Sequence, residues 1–439
     1  MPSNETAPTA SKLIDDCFRT DGRRMTHDEA LALLAARAAP ITAIVEVDVA
    51  EALGRVLARP VTAPRPIPLH TNSAVDGYAF ASADYSRERG ATLPVSGRAA
   101  AGRPLGAPAE RGTAVRIFTG AVMPEGADTV VMQEDVSVRD VDGRAYVAIP
   151  SGLKPRANVR AAGEDVGAHT RVFEAGHLVR PQDIAALASL GLSSVTVHGR
   201  LKVAIVASGD EVVRPDTARP QELALGQVYD ANSPMLAALV ASTGAEVADL
   251  GILPDDAGVI RSRLAEAART CDVIITSGGA SLGEEDHMVA AIDALGRRHL
   301  WQLAIKPGRP MSFGQIGNAV IIGLPGNPVA VFVCYLMYVY PLLHRLAGAP
   351  WFAPRRYRLP ARFEFTGRKT GRREFWRGIL VDGPDGLGVE KFARDGSGLI
   401  SSLRAADGLI DVPEHSGDVA RGDLVDFIPL TEFGIVGRA

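Results

Sequence analysis

Between Cys271 and Pro328 the chain twice runs a short β-branched strand into a glycine-rich loop. The first unit reads Asp272-Val-Ile-Ile-Thr-Ser-Gly-Gly-Ala-Ser-Leu-Gly283, followed by Glu284-Glu-Asp286; the second reads Ala319-Val-Ile-Ile-Gly-Leu-Pro-Gly-Asn-Pro328. Short apolar runs that stop at glycine are the pattern of fully buried strands in a parallel sheet. Both loops should therefore emerge at the carboxyl edge of one sheet, where open α/β folds bind their ligands. Glycine lets backbone N–H groups come close to a phosphate, and the acidic trio 284–286 suits a divalent cation beside it. A nucleotide or a phosphorylated cofactor is the ligand class that these loops predict.

The surrounding sequence places the two units in a larger α/β module. Strand 203–206, loop Ser208-Gly-Asp-Glu211, helix 233–242, strand 246–252 and helix 258–269 precede them, an alternation that predicts a doubly wound parallel sheet over 200–349. Upstream, Thr26-His-Asp-Glu29 has capping-box spacing and opens a helix to about residue 38, followed by a strand over 44–47 and a second helix over 50–58. Pro60, Pro64, Pro66 and Pro68 then forbid helix. Short strands at 114–118, 129–132 and 145–149 make 63–160 an inserted β module within a helical module of 13–62 and 161–199, whose later part carries a helix from Pro181. After Ala349 the pattern returns to β, with strands expected over 356–365, 375–381 and 424–428 of a domain spanning 350–439. Residues 1–12 are expected to form a disordered tail, having neither a basic nor an apolar signal-peptide region.

Composition excludes several function classes. With 439 residues the chain is too long for one core. A net charge of -4 argues against a general polyanion-binding surface, so no nucleic-acid partner is expected. Cys17, Cys271 and Cys334 show no zinc or redox spacing and read as reduced thiols of a cytoplasmic protein. The apolar stretch from Pro328 to Leu343 is about 16 residues long, short of the roughly 20 that a bilayer requires. It reads as a core or dimer-interface helix rather than a membrane span, with Asn327 as N-cap and Pro328 at its first position.

Four carboxylates lie in glycine-flanked loops: Asp76, Asp165, Glu211 and Asp286. Each alone is an ordinary turn residue; together at one sheet edge they could hold Mg²⁺ against a phosphoanhydride. In Lys306-Pro-Gly-Arg309-Pro the prolines restrict the loop, so that both cations could be aimed at one oxyanion. The basic run 368–373 reads as a solvated face. His70, His169, His177 and His287 lack metal-ligand spacing. Ser208, Ser277 and Ser281 sit in the glycine loops without a nucleophile elbow, which favours hydrogen bonding to phosphate over attack.

At these residues the chain resembles the MoeA/gephyrin-type molybdopterin molybdenumtransferases. The resemblance rests on nine motifs in order: Asn72-Ser-Ala-Val-Asp-Gly-Tyr-Ala79, Phe118-Thr-Gly-Ala121 with Pro124-Glu-Gly-Ala-Asp128, Val130-Val-Met-Gln-Glu134, Gly163-Glu-Asp165, Ser208-Gly-Asp-Glu211, Gly226-Gln-Val-Tyr-Asp-Ala-Asn232, Thr276-Ser-Gly-Gly279 through Asp286, Ile305-Lys-Pro-Gly-Arg-Pro310 and Gly323-Leu-Pro-Gly-Asn-Pro328. Departures are Val75 for a common Met, Ala280 and Leu282 for valines, and Arg309 for a frequent Lys. The last changes the donor geometry at the oxyanion loop.

The resemblance implies a central molybdopterin-binding-like α/β domain, a C-terminal β-barrel-like domain, and a reaction of adenylylated molybdopterin with molybdate. The anhydride is cleaved with Mg²⁺, AMP leaves and the dithiolene accepts molybdenum. Asp76, Asp165, Glu211 and Asp286 would be the catalytic set, with Asp76, Glu211 and Asp286 on Mg²⁺. Thr119, Ser208, Gly209, Asp210, Ser277, Gly278, Gly279, Ser281, Gly283, Pro325, Gly326, Asn327 and Pro328 would hold the pterin nucleotide. Lys306, Arg309, Arg377 and a serine of 397–402, Ser397 foremost, would bind molybdate. Implied partners are a second copy of the chain, whose β module carrying Asp76 completes the site, together with a molybdopterin adenylyltransferase and molybdoenzyme chaperones. The alternatives are an adenylyltransferase, which the α/β module alone also resembles, and a non-catalytic scaffold of the same family.

Overall fold

The computed structural model describes residues 24–278 and 287–437. The expected tail of residues 1–12, Cys17 and the first glycine loop from Gly279 through Ser281 and Gly283 to Asp286 lie outside the described residues. The chain divides into two compact units: Met1–Ala58, Gly176–Arg180 and Val195–Ala439 form the first, Arg59–Ala175 and Pro181–Ser194 the second.

The first unit is built on a six-stranded sheet in the order Glu246–Leu253, Lys202–Ser208, Val273–Ser277, Ala319–Leu324, Pro310–Ile316, Arg297–Gln302. The first four strands are parallel, and Pro310–Ile316 runs antiparallel to both of its neighbours, Ala319–Leu324 and Arg297–Gln302, so the sheet is mixed rather than wholly parallel as the sequence predicts. The reason is local. Only Gly317-Asn318 separates Pro310–Ile316 from Ala319–Leu324, and so short a link can join strands only as an antiparallel hairpin.

Alternate side chains of the parallel strands leave on opposite faces. Ala204, Val206, Ile274 and Ile321 pack against Ile260 and Leu264 of helix Ala257–Thr270 and Met288 and Ile292 of helix His287–Leu295. Val203, Ile205, Val273, Ile275, Val320 and Ile322 face the opposite core, which also takes Leu236 and Val240 of helix Asn232–Ser242. That core contains the apolar stretch after Pro328 as well. It runs as α-helix Pro328–Cys334, π-helix Tyr335–Val339 and α-helix Tyr340–Leu346. Pro341 has no N–H to give and its ring crowds the carbonyl four residues back, which accounts for the wider turn just before it. Among the described residues this is the one helical stretch long and apolar enough to cross a bilayer, and it is 89% buried inside the protein. Asn327 stands at the N-cap as expected, but its side chain makes no capping bond.

Helix His27–Arg37 begins with the predicted capping box, Thr26 and Glu29 exchanging hydrogen bonds. It sends Ala30 and Leu34 into the same core. The helix expected over 50–58 does not form. A 3₁₀ turn, Val49–Glu51, is followed by Gly54 at φ +70°, and Val56 and Leu57 then bridge Leu178 and Val197 as extended chain. Burial of Val56 and Leu57 in these bridges outweighs the good helical propensity of leucine, and β-branched Val56 favours extended chain.

Downstream, strands Tyr357–Pro360, Arg373–Gly383, Gly386–Lys391, Gly408–Val412 and Leu424–Pro429 form a second sheet that also takes in the short strand Ile305–Lys306. A bridge from Ala361 to Val389 brings its two ends together. Strands 386–391 and 408–412 are not evident from sequence, because Gly388 interrupts the first apolar run and Asp411 the second.

The second unit carries the sheet Thr129–Met132, Gly77–Phe80, Ala114–Ile117, Ala91–Ala99, Arg144–Ile149, Ser137–Val141. Two short ribbons pair Asn72–Ser73 with Val159–Arg160 and Val61–Thr62 with Arg171–Phe173. Helix Pro181–Ser189 falls in this unit.

Candidate functional site

Three parallel strands of the first unit end side by side. Ala207 lies opposite Ser277, Ser277 lies opposite Leu324, and the Gly278 N–H donates to the Leu324 carbonyl at 3.0 Å. The loops after Ser208, Ser277 and Leu324 therefore share one carboxyl edge, as the two strand–loop units required. Gly278 has φ +96°, a conformation that a side chain would strain.

Asn232 binds two of these loops together. Its Nδ2 donates to Ser277 Oγ at 2.8 Å and to the Gly326 carbonyl at 2.7 Å. Asp230 caps the same helix, its Oδ1 accepting from the Asn232 and Ser233 N–H groups. In the sequence, Asn232 ends the segment Gly226–Asn232 with no role of its own. An Asn just before an apolar helical run also fits plain capping, and only the fold brings the loops within its reach.

Beside these loops lies a cavity of about 690 Å³, whose lining includes Gly278, Lys306, Pro325, Gly326, Asn327 and Arg377. Ser397 and Asp395 also line it. Four of the expected nucleotide-loop residues and three of the four expected oxyanion residues thus meet in one place. Arg309 is not among the lining residues: its side chain is exposed and its carbonyl accepts from Leu303 N–H. The restricted loop turns Lys306 inward and leaves Arg309 on its outer side.

Arg377 is 5% exposed. Its Nε donates to Ser402 Oγ at 3.1 Å, and a second nitrogen reaches the Arg394 carbonyl at 3.5 Å. Ser402 is fixed in turn by donating to the Leu399 carbonyl at 2.6 Å. Burial lowers the pKa of the guanidinium, with Asp395 opposing that shift. No carboxylate hydrogen-bonds Arg377 among the described residues, so the cavity wall presents a buried cation whose direct partners are neutral. Lys306 is 3.7 Å from Glu374 Oε2, while Asp395 is drawn to Lys391 at 2.7 Å. Glu374, Asp395 and Ser402 were missed in the sequence, Ser402 only in its partner, since nothing local ties a strand residue to a serine 25 positions away.

The expected carboxylates are distributed between the units. Glu211 is exposed, its carboxylate folded over Gly209, where an added Cβ would stand 2.5 Å from Oε2. Asp210 Oδ1 accepts from Asp255 N–H at 3.3 Å. In the second unit Asp76 Oδ1 accepts from the Thr119 N–H at 2.7 Å and the Thr119 hydroxyl at 2.8 Å. These bonds lower the Asp76 pKa, with a smaller contribution from Arg116. The adjoining Gly77 is required by close strand approach: a Cβ there would meet the Val131 carbonyl oxygen at 1.8 Å. Asp165 is exposed, on a turn whose N–H groups bond back to Ile67 and Pro68.

Among the described residues no group of three or more His, Cys, Asp or Glu side chains is placed to hold a metal ion. Mg²⁺, however, takes one or two protein carboxylates and fills its shell with phosphate and water. Exposed Glu211 and ionised Asp76 are donors of that kind.

Sheet, loops and cavity together define a multidomain protein with a mixed α/β sheet whose carboxyl edge opens on a cation-lined cavity. Three family models match it: the MoeA N-terminal region (domain I and II) over residues 25–191, the "Probable molybdopterin binding domain" over 204–345, and the MoeA C-terminal region (domain IV) over 358–430. The chain belongs to the MoeA family of molybdopterin molybdenumtransferases. It is 36% identical to the molybdopterin molybdenumtransferase of Haemophilus influenzae across 86% of this chain and 92% of that one. It is 34% identical to molybdopterin molybdenumtransferase 2 of Mycobacterium tuberculosis across 92% and 98%. The crystal structure of the molybdopterin biosynthesis MoeA protein from Pyrococcus horikoshii OT3 superposes with a TM-score of 0.78 at 29% identity, covering 93% of this chain and all of that one.

Proposed function

We propose that this protein transfers molybdenum to adenylylated molybdopterin, and that the cavity beside the glycine loops is where the tetrahedral oxyanion binds. It is a molybdopterin molybdenumtransferase acting in molybdenum cofactor biosynthesis. The observation that carries the oxyanion reading is Arg377, buried, held by Ser402 and facing the cavity, with no carboxylate hydrogen-bonded to it among the described residues. A dianion is the natural complement of such a group beside Lys306.

In the mechanism that follows, Ser277, Gly278 and Pro325 through Pro328 line the pterin nucleotide, the backbone N–H groups of Gly326 and Asn327 donating to it, and Asn232 keeps their loops in register. Ser208, Gly209, Asp210 and Thr119, with Gly279, Ser281 and Gly283 outside the described residues, complete the nucleotide contacts. Lys306, Arg377 and Ser397 hold molybdate, with Arg309 at the outer rim. Asp76, Glu211 and Asp286 would hold Mg²⁺, which supplies charge neutralisation at the anhydride. Asp165 orients the approach of the anhydride. The site is shared in a homodimer, with Asp76 and Thr119 contributed by the partner subunit. Four modules (13–62 with 161–199, 63–160, 200–349, 350–439) underlie it, in a cytoplasmic protein that receives substrate from an adenylyltransferase and passes cofactor to molybdoenzyme chaperones.

The test is Mg²⁺- and molybdate-dependent AMP release from adenylyl-molybdopterin. Arg377→Met should lower kcat/KM for molybdate about 100-fold, the loss of two charge-assisted hydrogen bonds, while Glu211→Gln and Asp286→Asn abolish release. AMP release at wild-type rates by all three variants would sink the assignment. Consumption of ATP with free molybdopterin would mark an adenylyltransferase instead.

A further inference from the structure

The cation-lined cavity has a carboxylate built in behind it. Glu374 begins the strand segment that carries Phe375, Trp376 and Arg377 into the cavity lining, and it is directly paired with Lys306 in the parallel register of the two strands. Its side chain is 2% exposed. Both oxygens are engaged: Oε1 accepts from Arg372 Nε at 3.0 Å and Oε2 from Trp376 Nε1 at 2.9 Å. Lys306 Nζ stands 3.7 Å from Oε2, beyond hydrogen-bond length, and its side chain is 43% exposed. The carboxylate is therefore locked by two donors, while the lysine is held only by charge and is free to donate into the cavity.

We infer that Glu374 is a fixed counter-charge which weakens oxyanion binding at Lys306 and so keeps the anion exchangeable. The inference rests on the oxyanion reading of the cavity. An anion entering beside Lys306 must share that cation with a carboxylate that cannot move away, and it is repelled by the same carboxylate in proportion to its own charge. A site meant to pass its anion on, rather than store it, gains from this arrangement. Asp395, a carboxylate that lines the cavity, is tied to Lys391 at 2.7 Å.

The experiment measures the affinity of wild-type protein, Glu374→Gln and Glu374→Asp for two tetrahedral oxyanions, molybdate as dianion and perrhenate as monoanion, by equilibrium dialysis at low ionic strength. Removing the charge in Glu374→Gln should tighten molybdate about tenfold and perrhenate about threefold, because the repulsion scales with the charge of the anion. Glu374→Asp retains the carboxylate but draws it back from Lys306, so it should fall between wild type and Glu374→Gln; it decides the matter if the Gln variant fails to fold. If Glu374 serves only to fix Arg372 and Trp376, binding weakens or both anions change by the same factor, and the inference is overturned. Absence of oxyanion binding by the wild type overturns the cavity reading and this inference with it. Normal wild-type binding with no tightening in the variants overturns the inference alone.

Discussion

Asn232 shows how one side chain can fix the geometry of a site without lining it. Its amide N–H groups join Ser277 and Gly326, which belong to loops that sequence analysis could describe only separately. Asn232→Ala removes two bonds worth about 1 kcal/mol each, and Asn232→Asp in addition sets a carboxylate against the Gly326 carbonyl. We expect losses of about 2 and about 3–4 kcal/mol in urea unfolding, with the Asp variant also losing oxyanion affinity. Equal stability of both variants and wild type would show that the loops hold their register unaided. Lys306 and Ser277 could be named from sequence because their motifs carry chemistry in their residue types, and Arg377 because of the family that the chain resembles. Glu374 and Ser402 could not, because their roles exist only through partners brought from other strands.

At the level of elements, helix His27–Arg37 carries a buried histidine, His27, and helix Tyr340–Leu346 a half-buried one, His344, beside Tyr340 and Phe352. His27 Nδ1 lies 2.9 Å from the Tyr338 hydroxyl, and its ring meets Phe375 edge-on at 5.3 Å. Burial is the main cause that lowers both pKa values from 6.5 to about 4, for His27 with help from Arg373 and for His344 by itself. Between those limits the unfolded chain binds more protons than the folded one, so stability falls as pH is lowered from about 6.5 and stops falling from this source below about 4. The full effect is up to about 3 kcal/mol for each histidine. Thermal melts should show Tm dropping through that window, with a shallower slope in His27→Gln; an unchanged slope in that variant would remove His27 as a source. The predicted capping box gave this helix its start, whereas the face it buries was decided by what it met.

For the molecule as a whole, one core in the first unit draws on distant parts of the chain. Leu34 near the start, Leu239, Phe332 and Tyr335 in the middle, and Phe375, Ile428 and Phe433 near the end pack in the same cluster. An ion-pair set reinforces it: Arg373 binds Asp411 at 2.6 Å and Asp28 at 3.2 Å, and Arg356 binds Asp411 at 2.8 Å. A fragment of residues 200–349 would leave the helical stretch after Pro328 without Leu34, Phe375 and Phe433 against it. Such a fragment should bind a hydrophobic dye and self-associate; a monomeric fragment with a cooperative melt and no dye binding would show that its cover is dispensable.

The sequence by itself determined the strand–glycine loops, the parallel order of their strands, the capped first helix and the residue types of an anion site, since these follow from local periodicity and backbone chemistry. Tertiary structure alone decided the extended course of Val56 and Leu57, the exclusion of Arg309 from the cavity lining and the placing of Asn232 and Glu374 behind the site. Those outcomes depend on which surfaces become buried against one another and which distant donors meet an acceptor. Such encounters have no periodicity that a linear chain could display.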